Sequence, residues 1–126
     1  MKAYTDLNQS KKLTEILPLE SADMYYEEVC NLPKAIVGSY ILHNQCMEDK
    51  DYKKLSHPVL SPTWSLAALL DILDYPQLSK DKLGGGKVGW MVSVYPNDCR
   101  YDSCWHDNPV DACCEMIIKL NELKML

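Results

Sequence analysis

The sequence predicts an α+β protein in which an antiparallel sheet of three to five strands forms a sandwich with about three helices. Residues 87–95 alternate apolar with small or polar side chains, which is the period of two typical of a strand. Residues 62–74 and 109–124 each begin with a proline and continue as apolar-rich segments of helical length. A chain of 126 residues buries about two thirds of its surface, so one domain over residues 1–126 is expected.

The first half of the chain is predicted to contain one helix and two strands. Residues 5–17 carry apolar side chains at helical spacing, and Pro18 ends the helix because it cannot continue the hydrogen-bond ladder. Residues 22–30 and 35–43 contain apolar, aromatic and β-branched residues and are predicted to be strands. The polar segment 44–57 is predicted to be a connecting loop.

The two later helices are predicted to begin with the same pair of residue types. Ser61 would cap a helix over 62–74, and Asn108 would cap a helix over 109–124, since a side-chain oxygen accepts a hydrogen bond from a free backbone N–H there. Proline follows each cap and needs no hydrogen-bond donor at the first helical position.

A glycine run at 84–86 predicts a turn between strands at 77–83 and 87–95. The alternation in the second strand predicts one wholly apolar face against the helices, with Lys87 and Ser93 exposed on the other. The apolar face would consist of Val88, Trp90, Val92 and Val94.

Charge and composition exclude several functions. The net charge is −5 and Arg100 is the one arginine, which predicts no substantial affinity for nucleic acid. The chain has no apolar run near the roughly 20 residues that cross a bilayer, so no membrane association is expected. Its first residues are polar and lack the apolar core of a signal peptide, which predicts a cytoplasmic protein with six reduced cysteines.

The segment 97–108, which includes a predicted short strand over 99–105, is the candidate partner-binding region. Arg100, Tyr101 and Trp105 belong to the residue types that most often dominate binding energy at interfaces. We therefore predict that these three residues bind a protein partner that the sequence does not identify. The alternative for the tryptophan is a place in the core beside the last helix.

Residues 99–114 also support an alternative function, a thiol- or zinc-dependent site. Zinc takes four nitrogen or sulfur ligands, and a thiolate enzyme needs a base within hydrogen-bond reach. The usual second cysteine pair is missing and no enzyme signature surrounds the thiols, so we predict no catalytic residue, no cofactor and no metal ligand. A third alternative is a structural protein that forms homo-oligomers. The donors whose approach would decide the second function are Cys99, Cys104, His106 and Cys113.

Four blocks of the sequence are distinctive when taken together: 9–13, 15–24, 64–71 and 111–120. They resemble small uncharacterised proteins of Bacteroides-type gut bacteria and of their phages or integrated elements. The second half is similar to the phage ABA sandwich domain. This resemblance implies an α/β/α-type sandwich and a mobile-element setting, and it carries no functional residues. The predicted function is a non-enzymatic accessory protein that binds another macromolecule.

Overall fold

The computed structural model describes residues 2–28, 40–43 and 60–126. Within these ranges the chain forms three α-helices and six antiparallel strands, which confirms the predicted α+β class. The strands are divided between two three-stranded sheets. The chain separates into two compact units, one joining Met1–Thr5 to Ser65–Leu126 and the other comprising Asp6–Trp64. One domain over the whole chain stays a prediction.

The unit formed by Asp6–Trp64 begins with helix α1, Leu7–Thr14. Asp6 fixes its start, because the Asp6 carboxylate accepts a hydrogen bond from Gln9 N at 2.8 Å while Asp6 N donates to Gln9 Oε1 at 3.1 Å. The helix is therefore shorter than the predicted span of 5–17. Leu13 is fully buried on its inner face.

The described part of this unit also contains three strands, in the order β2-β1-β3, and α1 packs on β3. Their bounds are β1 Met24–Glu28, β2 Tyr40–His43 and β3 Leu60–Thr63. The described part of the predicted strand 35–43 is a strand. Residues 35–39 and the predicted loop 44–57 lie outside the described residues.

The predicted helix over 62–74 is wrong at its start. Ser61 and Pro62 belong to β3, and helix α2 begins at Leu66 and spans Leu66–Ile72. Ser65 is the cap, with its Oγ accepting from Ala68 N at 3.2 Å. Among the described strands β3 pairs only with β1, and a proline is tolerated at such an edge because its missing N–H removes no bond from a central ladder.

In the unit formed by Met1–Thr5 and Ser65–Leu126, the second sheet has the order β4-β5-β6, and helix α3 packs on β5 and on α2. Gly84–Gly86 form the predicted turn, with positive φ at Gly85 and Gly86. The remaining bounds are β4 Gln77–Leu83, β5 Lys87–Val94, β6 Tyr101–Asp102 and α3 Pro109–Glu122.

The apolar face of β5 is only partly covered. Val92 and Val94 are buried, as predicted, whereas Val88 is 39% exposed and the prediction for it is wrong. Burial falls along the strand from Val92 through the half-buried Trp90 to Val88, so the helical cover ends before the hairpin tip. Ser93 was expected on the exposed face, but it is 1% exposed, and its hydroxyl donates to the side chain of Asp102 on the neighbouring strand.

The first residues of the chain interact with the N-terminal ends of two helices in this unit. Leu66 N donates to Ala3 O at 3.0 Å, next to the first turn of α2. At α3, Asn108 caps as predicted, since its Oδ1 accepts from Asp111 N at 2.9 Å. Lys2 Nζ lies 2.8 Å from Asp111 Oδ1 and neutralises the carboxylate that faces the helix N-terminus.

Helix α3 ends in a Schellman motif with lysine where glycine is usual. Met125 N donates to Leu120 O at 2.8 Å and Lys124 N donates to Asn121 O at 3.0 Å. Lys124 has φ 57°, in the left-handed region that a Cβ disfavours.

We expect Lys124→Gly to raise the free energy of unfolding by about 1 kcal/mol, because glycine adopts this φ without strain. Denaturant titration measures the change. Lys124→Ala keeps a Cβ and should gain nothing. An equal response of the two variants would contradict the assignment of strain to this residue.

Candidate functional site

Residues 101–106 run antiparallel to β5 along one edge and contain a β-bulge. His106 N donates to Trp90 O at 2.8 Å, and Trp90 N donates to His106 O at 2.7 Å. Between Ser103 and His106 the register slips by one residue relative to the pairing of β6. A bulge redirects the side chains around it, and Trp105 lies within this one.

A serine side chain holds the bulge in place. Ser103 Oγ accepts from Val92 N at 3.0 Å and donates to Cys104 O at 2.9 Å, while Ser103 N donates to Val92 O at 2.9 Å. The hydroxyl thus takes the position of the carbonyl that would otherwise accept from Val92 N. Because Ser103 is buried, water does not readily replace this acceptor.

Trp105 lies on the face of the sheet that carries Gly89 and Ser93, which we call the outer face. A Cβ on Gly89 would be 3.2 Å from Trp105 Cε3 and 2.8 Å from Leu83 Cγ, so the missing side chain makes room for both residues. Trp105 is 40% exposed. The indole is therefore a surface group rather than the core residue of the alternative.

The three residues predicted to bind a partner do not share one face. Tyr101 pairs with Val94, whose side chain is buried on the helix-covered face, and cross-strand partners share a face. Asp102 pairs with Ser93 on the outer face. Tyr101 and Trp105 consequently point to opposite sides of the sheet.

Arg100 is held near the outer face by Asp102. Arg100 Nε donates to Asp102 Oδ1 at 2.8 Å, and Ser93 Oγ donates to the same atom at 2.6 Å. The hydrogen bond and charge of Asp102 raise the pKa of Arg100, while the bonds from Ser93 and then Arg100 lower the pKa of Asp102. Both side chains of the ion pair are well exposed, so this pair orients the guanidinium more than it stabilises the fold.

Tyr95 is a site residue that the sequence reasoning missed. It follows Ser93 at a spacing of two, and its hydroxyl donates to Gln77 Oε1 at 3.2 Å, which places it on the outer face. Tyr95 is 41% exposed, and an electrostatic interaction with Tyr95 is a smaller cause of the raised pKa of Arg100, after Asp102. Trp105, Tyr95 and Arg100 all lie on or near the outer face, and we call these three residues the outer-face patch.

Glu115 of α3 binds the backbone and side chains of the bulge segment. Its Oε2 accepts from Cys104 N at 2.7 Å, and its Oε1 lies 3.1 Å from His106 Nε2. Partial burial opposes ionisation of Glu115, but the bonds from the Cys104 amide, from His106 and from the Cys104 thiol outweigh it and lower the pKa of this carboxyl.

This cluster does not generate a thiolate. The hydrogen bond to Glu115 and the charge of that carboxylate raise the pKa of the Cys104 thiol, so the thiol stays protonated at neutral pH. His106 makes its hydrogen bond to Glu115 and is engaged as a positioning group. The thiol and the imidazole therefore both interact with Glu115, which does not favour a thiolate–imidazole pair at these residues.

The cysteines and histidine considered as zinc ligands do not form a ligand set. Cys99 and Cys104 are exposed, Cys113 is buried, and burial raises the pKa of Cys113 to about 12. In the part of the chain that the structure describes, no three His, Cys, Asp or Glu side chains are placed to hold a metal ion.

We expect Ser103→Ala to lower the free energy of unfolding by about 1–3 kcal/mol, because it leaves the buried Val92 N–H without its acceptor. Denaturant titration measures the loss. Ser79→Ala, at a half-buried serine of β4, is the matched control and should change stability by less than about 0.5 kcal/mol. Equal effects at the two serines would contradict the role of the hydroxyl in the bulge.

We expect Glu115→Gln to destabilise the protein by about 1 kcal/mol above roughly pH 5 and by progressively less as the pH falls further. A carboxyl whose pKa is lowered by folding stabilises the protein above its unfolded pKa. That stability disappears as the pH falls through the folded pKa. Unfolding measured at a series of pH values tests this.

Glu122→Gln, at an exposed position of the same helix, is the control and should give a small difference at every pH. A loss at Glu115 that does not vary with pH would show that the charge of the carboxylate is unimportant.

No helix in the described ranges is long and apolar enough to cross a membrane. Comparisons of the chain with protein-family models, with curated proteins and with solved structures find no match. The resemblance to mobile-element proteins therefore stays a prediction based on the four sequence blocks, and the candidate site rests on its geometry.

Proposed function

We propose that this protein is a non-enzymatic binding module that contacts a protein partner through the outer-face patch of Trp105, Tyr95 and Arg100. The observation that carries the proposal is the place of Trp105, an indole 40% exposed and held at a bulge against Gly89. Tryptophan, tyrosine and arginine are the residue types most enriched among the side chains that dominate binding energy at interfaces.

Contacts within the protein itself hold the backbone beside Trp105 and the side chain of Arg100 in place. Ser103 fixes the backbone beside Trp105, and Asp102 fixes the guanidinium of Arg100. Binding through such groups loses less conformational entropy than binding through mobile side chains, so more of the contact energy contributes to affinity.

Charge favours a protein over a nucleic acid as the partner. The chain has a net charge of −5, and its one arginine is already paired with an acid. The sequence resemblance supports an accessory role in a phage or an integrated element of a Bacteroides-type host, with the protein acting in the cytoplasm. Tyr101 lies on the other face and is not part of the proposed patch.

The alternatives have weaker support. A thiol- or zinc-dependent site over 99–114 would need a thiolate or a converging ligand set, and the described residues of that segment offer neither. A structural, oligomer-forming protein would use the same exposed aromatic groups against a second copy, and it is distinguished by the composition of the captured complex.

We expect Trp105→Ala to reduce capture of the partner by about 30-fold or more while the thermal midpoint changes by only a few degrees, since an exposed anchor contributes to binding more than to folding. Tagged full-length protein, introduced into its native cytoplasm, is isolated with its partners, and their amounts are compared between variants. Arg100→Ala should show a smaller reduction.

Tyr75→Ala is the matched control, because Tyr75 is an aromatic side chain 90% exposed outside the patch. It should retain the partner. A loss of about 3–5 kcal/mol in stability on Trp105→Ala would place the indole in the core and refute the proposal. Unchanged capture of the partner by both Trp105→Ala and Arg100→Ala would also refute the proposal. Recovery of the chain with no other protein would favour the oligomer-forming alternative.

A further inference from the structure

The hydrogen-bond pattern of β5 determines which backbone groups of β4 are open. Trp90 and Val92 direct their N–H and C=O groups toward the 101–106 segment. In an antiparallel ladder alternate residues bond to opposite sides, so the odd-numbered residues of β5 bond to β4. The register between β4 and β5 pairs odd-numbered residues with odd-numbered residues and even-numbered with even-numbered. The even-numbered residues Leu78 and Lys80 therefore direct their backbone N–H and C=O groups away from β5.

Lys82 supports this assignment independently. Its N–H donates to the side chain of Asp81 at 2.8 Å, which it could not do while bonded to a β5 carbonyl. Asp81 therefore closes the last position of the edge. Among the described strands β4 pairs only with β5, so Leu78 and Lys80 present an open strand edge.

This edge carries positive charge beside apolar surface. Lys80 and Lys82 are exposed, and Lys80 Nζ lies 5.1 Å from the centroid of the Trp90 ring. Lys82 pairs with Val88, the valine that the helices leave exposed. An open recess beside them is lined by Lys80, Asp81, Lys82 and Val88, and the Asp81 carboxylate there is engaged by the N–H of Lys82. The ring holds one ammonium group in place, and the valine offers a contact for an apolar side chain.

A second copy of the chain is a poor occupant of this edge. Its open residues are also Leu78 and Lys80, so in every antiparallel pairing that joins the open groups Lys80 faces a lysine, a leucine or a proline and never a carboxylate. Like charges directly opposite each other destabilise a strand pair, whereas opposite charges stabilise it. The complementary occupant carries carboxylates at alternate positions.

We infer that β4 is a docking edge for an extended acidic segment of another protein, which adds to the sheet as a strand. Its backbone would bond to Leu78 and Lys80, and two carboxylates at a spacing of two would face Lys80 and Lys82. This surface lies at the sheet edge opposite the bulge segment and does not depend on the outer-face patch.

The probe is a capped peptide of sequence Thr-Glu-Thr-Glu-Thr-Val-Thr, titrated into the full-length protein and followed by NMR. We expect saturable binding and about tenfold slower hydrogen exchange at the amides of Leu78 and Lys80. Lys80→Glu with Lys82→Glu should weaken binding about tenfold or more. Lys11→Glu with Lys12→Glu makes the same charge change on α1 and should leave the affinity within about twofold.

Two further comparisons separate strand addition from simple charge attraction. A peptide N-methylated at the amides that face the edge keeps its charge but loses the backbone bonds, so it should bind about tenfold more weakly. Asp81→Ala opens the N–H of Lys82 and should tighten binding and extend the protection to that amide.

Equal binding of the methylated peptide, equal weakening by the α1 lysine variants, or equal binding of a single-stranded oligonucleotide would overturn the inference. Protection of the same amides by self-association would make the occupant a second copy, and absence of peptide binding would also refute it. Trp105→Ala should leave peptide affinity unchanged, so failure here is separable from failure of the proposed function.

Discussion

The hydrogen bonding of β5 along both of its edges is the constraint on which the surrounding unit depends. The strand uses its odd-numbered residues for β4 and its even-numbered residues for the 101–106 segment. Because side chains alternate with the same period, the register that satisfies the backbone also decides which groups reach each face. Val92 and Val94 are directed to the helices, and Gly89 is directed to the outer face.

Gly89 and the bulge at 103–106 act together on the outer face. An added residue in the strand turns Trp105 across β5, and the missing side chain of Gly89 leaves the space that the ring occupies. With a regular register, the tryptophan would not have been directed across this glycine. Two local departures from an ideal sheet thus produce one exposed aromatic group.

The structural features that the sequence predicted correctly are those determined by interactions between residues close together in the chain. The hairpin at 77–95, the cap at Asn108 and the burial of Val92 follow from turn chemistry, capping and alternation. The start of α2 could not be predicted in the same way, because Ser61 followed by Pro62 suits a helix start and an edge strand equally well. Pairing with β1, which is a distant contact, decides between them.

The site was harder to predict for the same reason. Ser93 is polar and alternates with buried valines, so sequence places it outside. In the structure it is buried, and its hydroxyl donates to Asp102 of a two-residue strand. Tyr101 and Trp105 are close in sequence, and only the bulge between them separates their faces. The spacing of two between Ser93 and Tyr95 would have identified Tyr95 if the outer face had been recognised as the candidate binding surface.

The polar groups of the 99–106 segment are used to hold its backbone. Asp102 accepts from Ser93 and Arg100, and Lys119 Nζ donates to its carbonyl at 3.1 Å. Glu115 accepts from the Cys104 amide and approaches His106, and Ser103 bridges the bulge. A catalytic group needs a lone pair or a proton directed at a substrate. Here the acid, hydroxyl and imidazole groups are directed at the protein itself, and the pKa of the thiol is moved away from reactivity. Such an arrangement gives a rigid surface, which supports the proposed binding role.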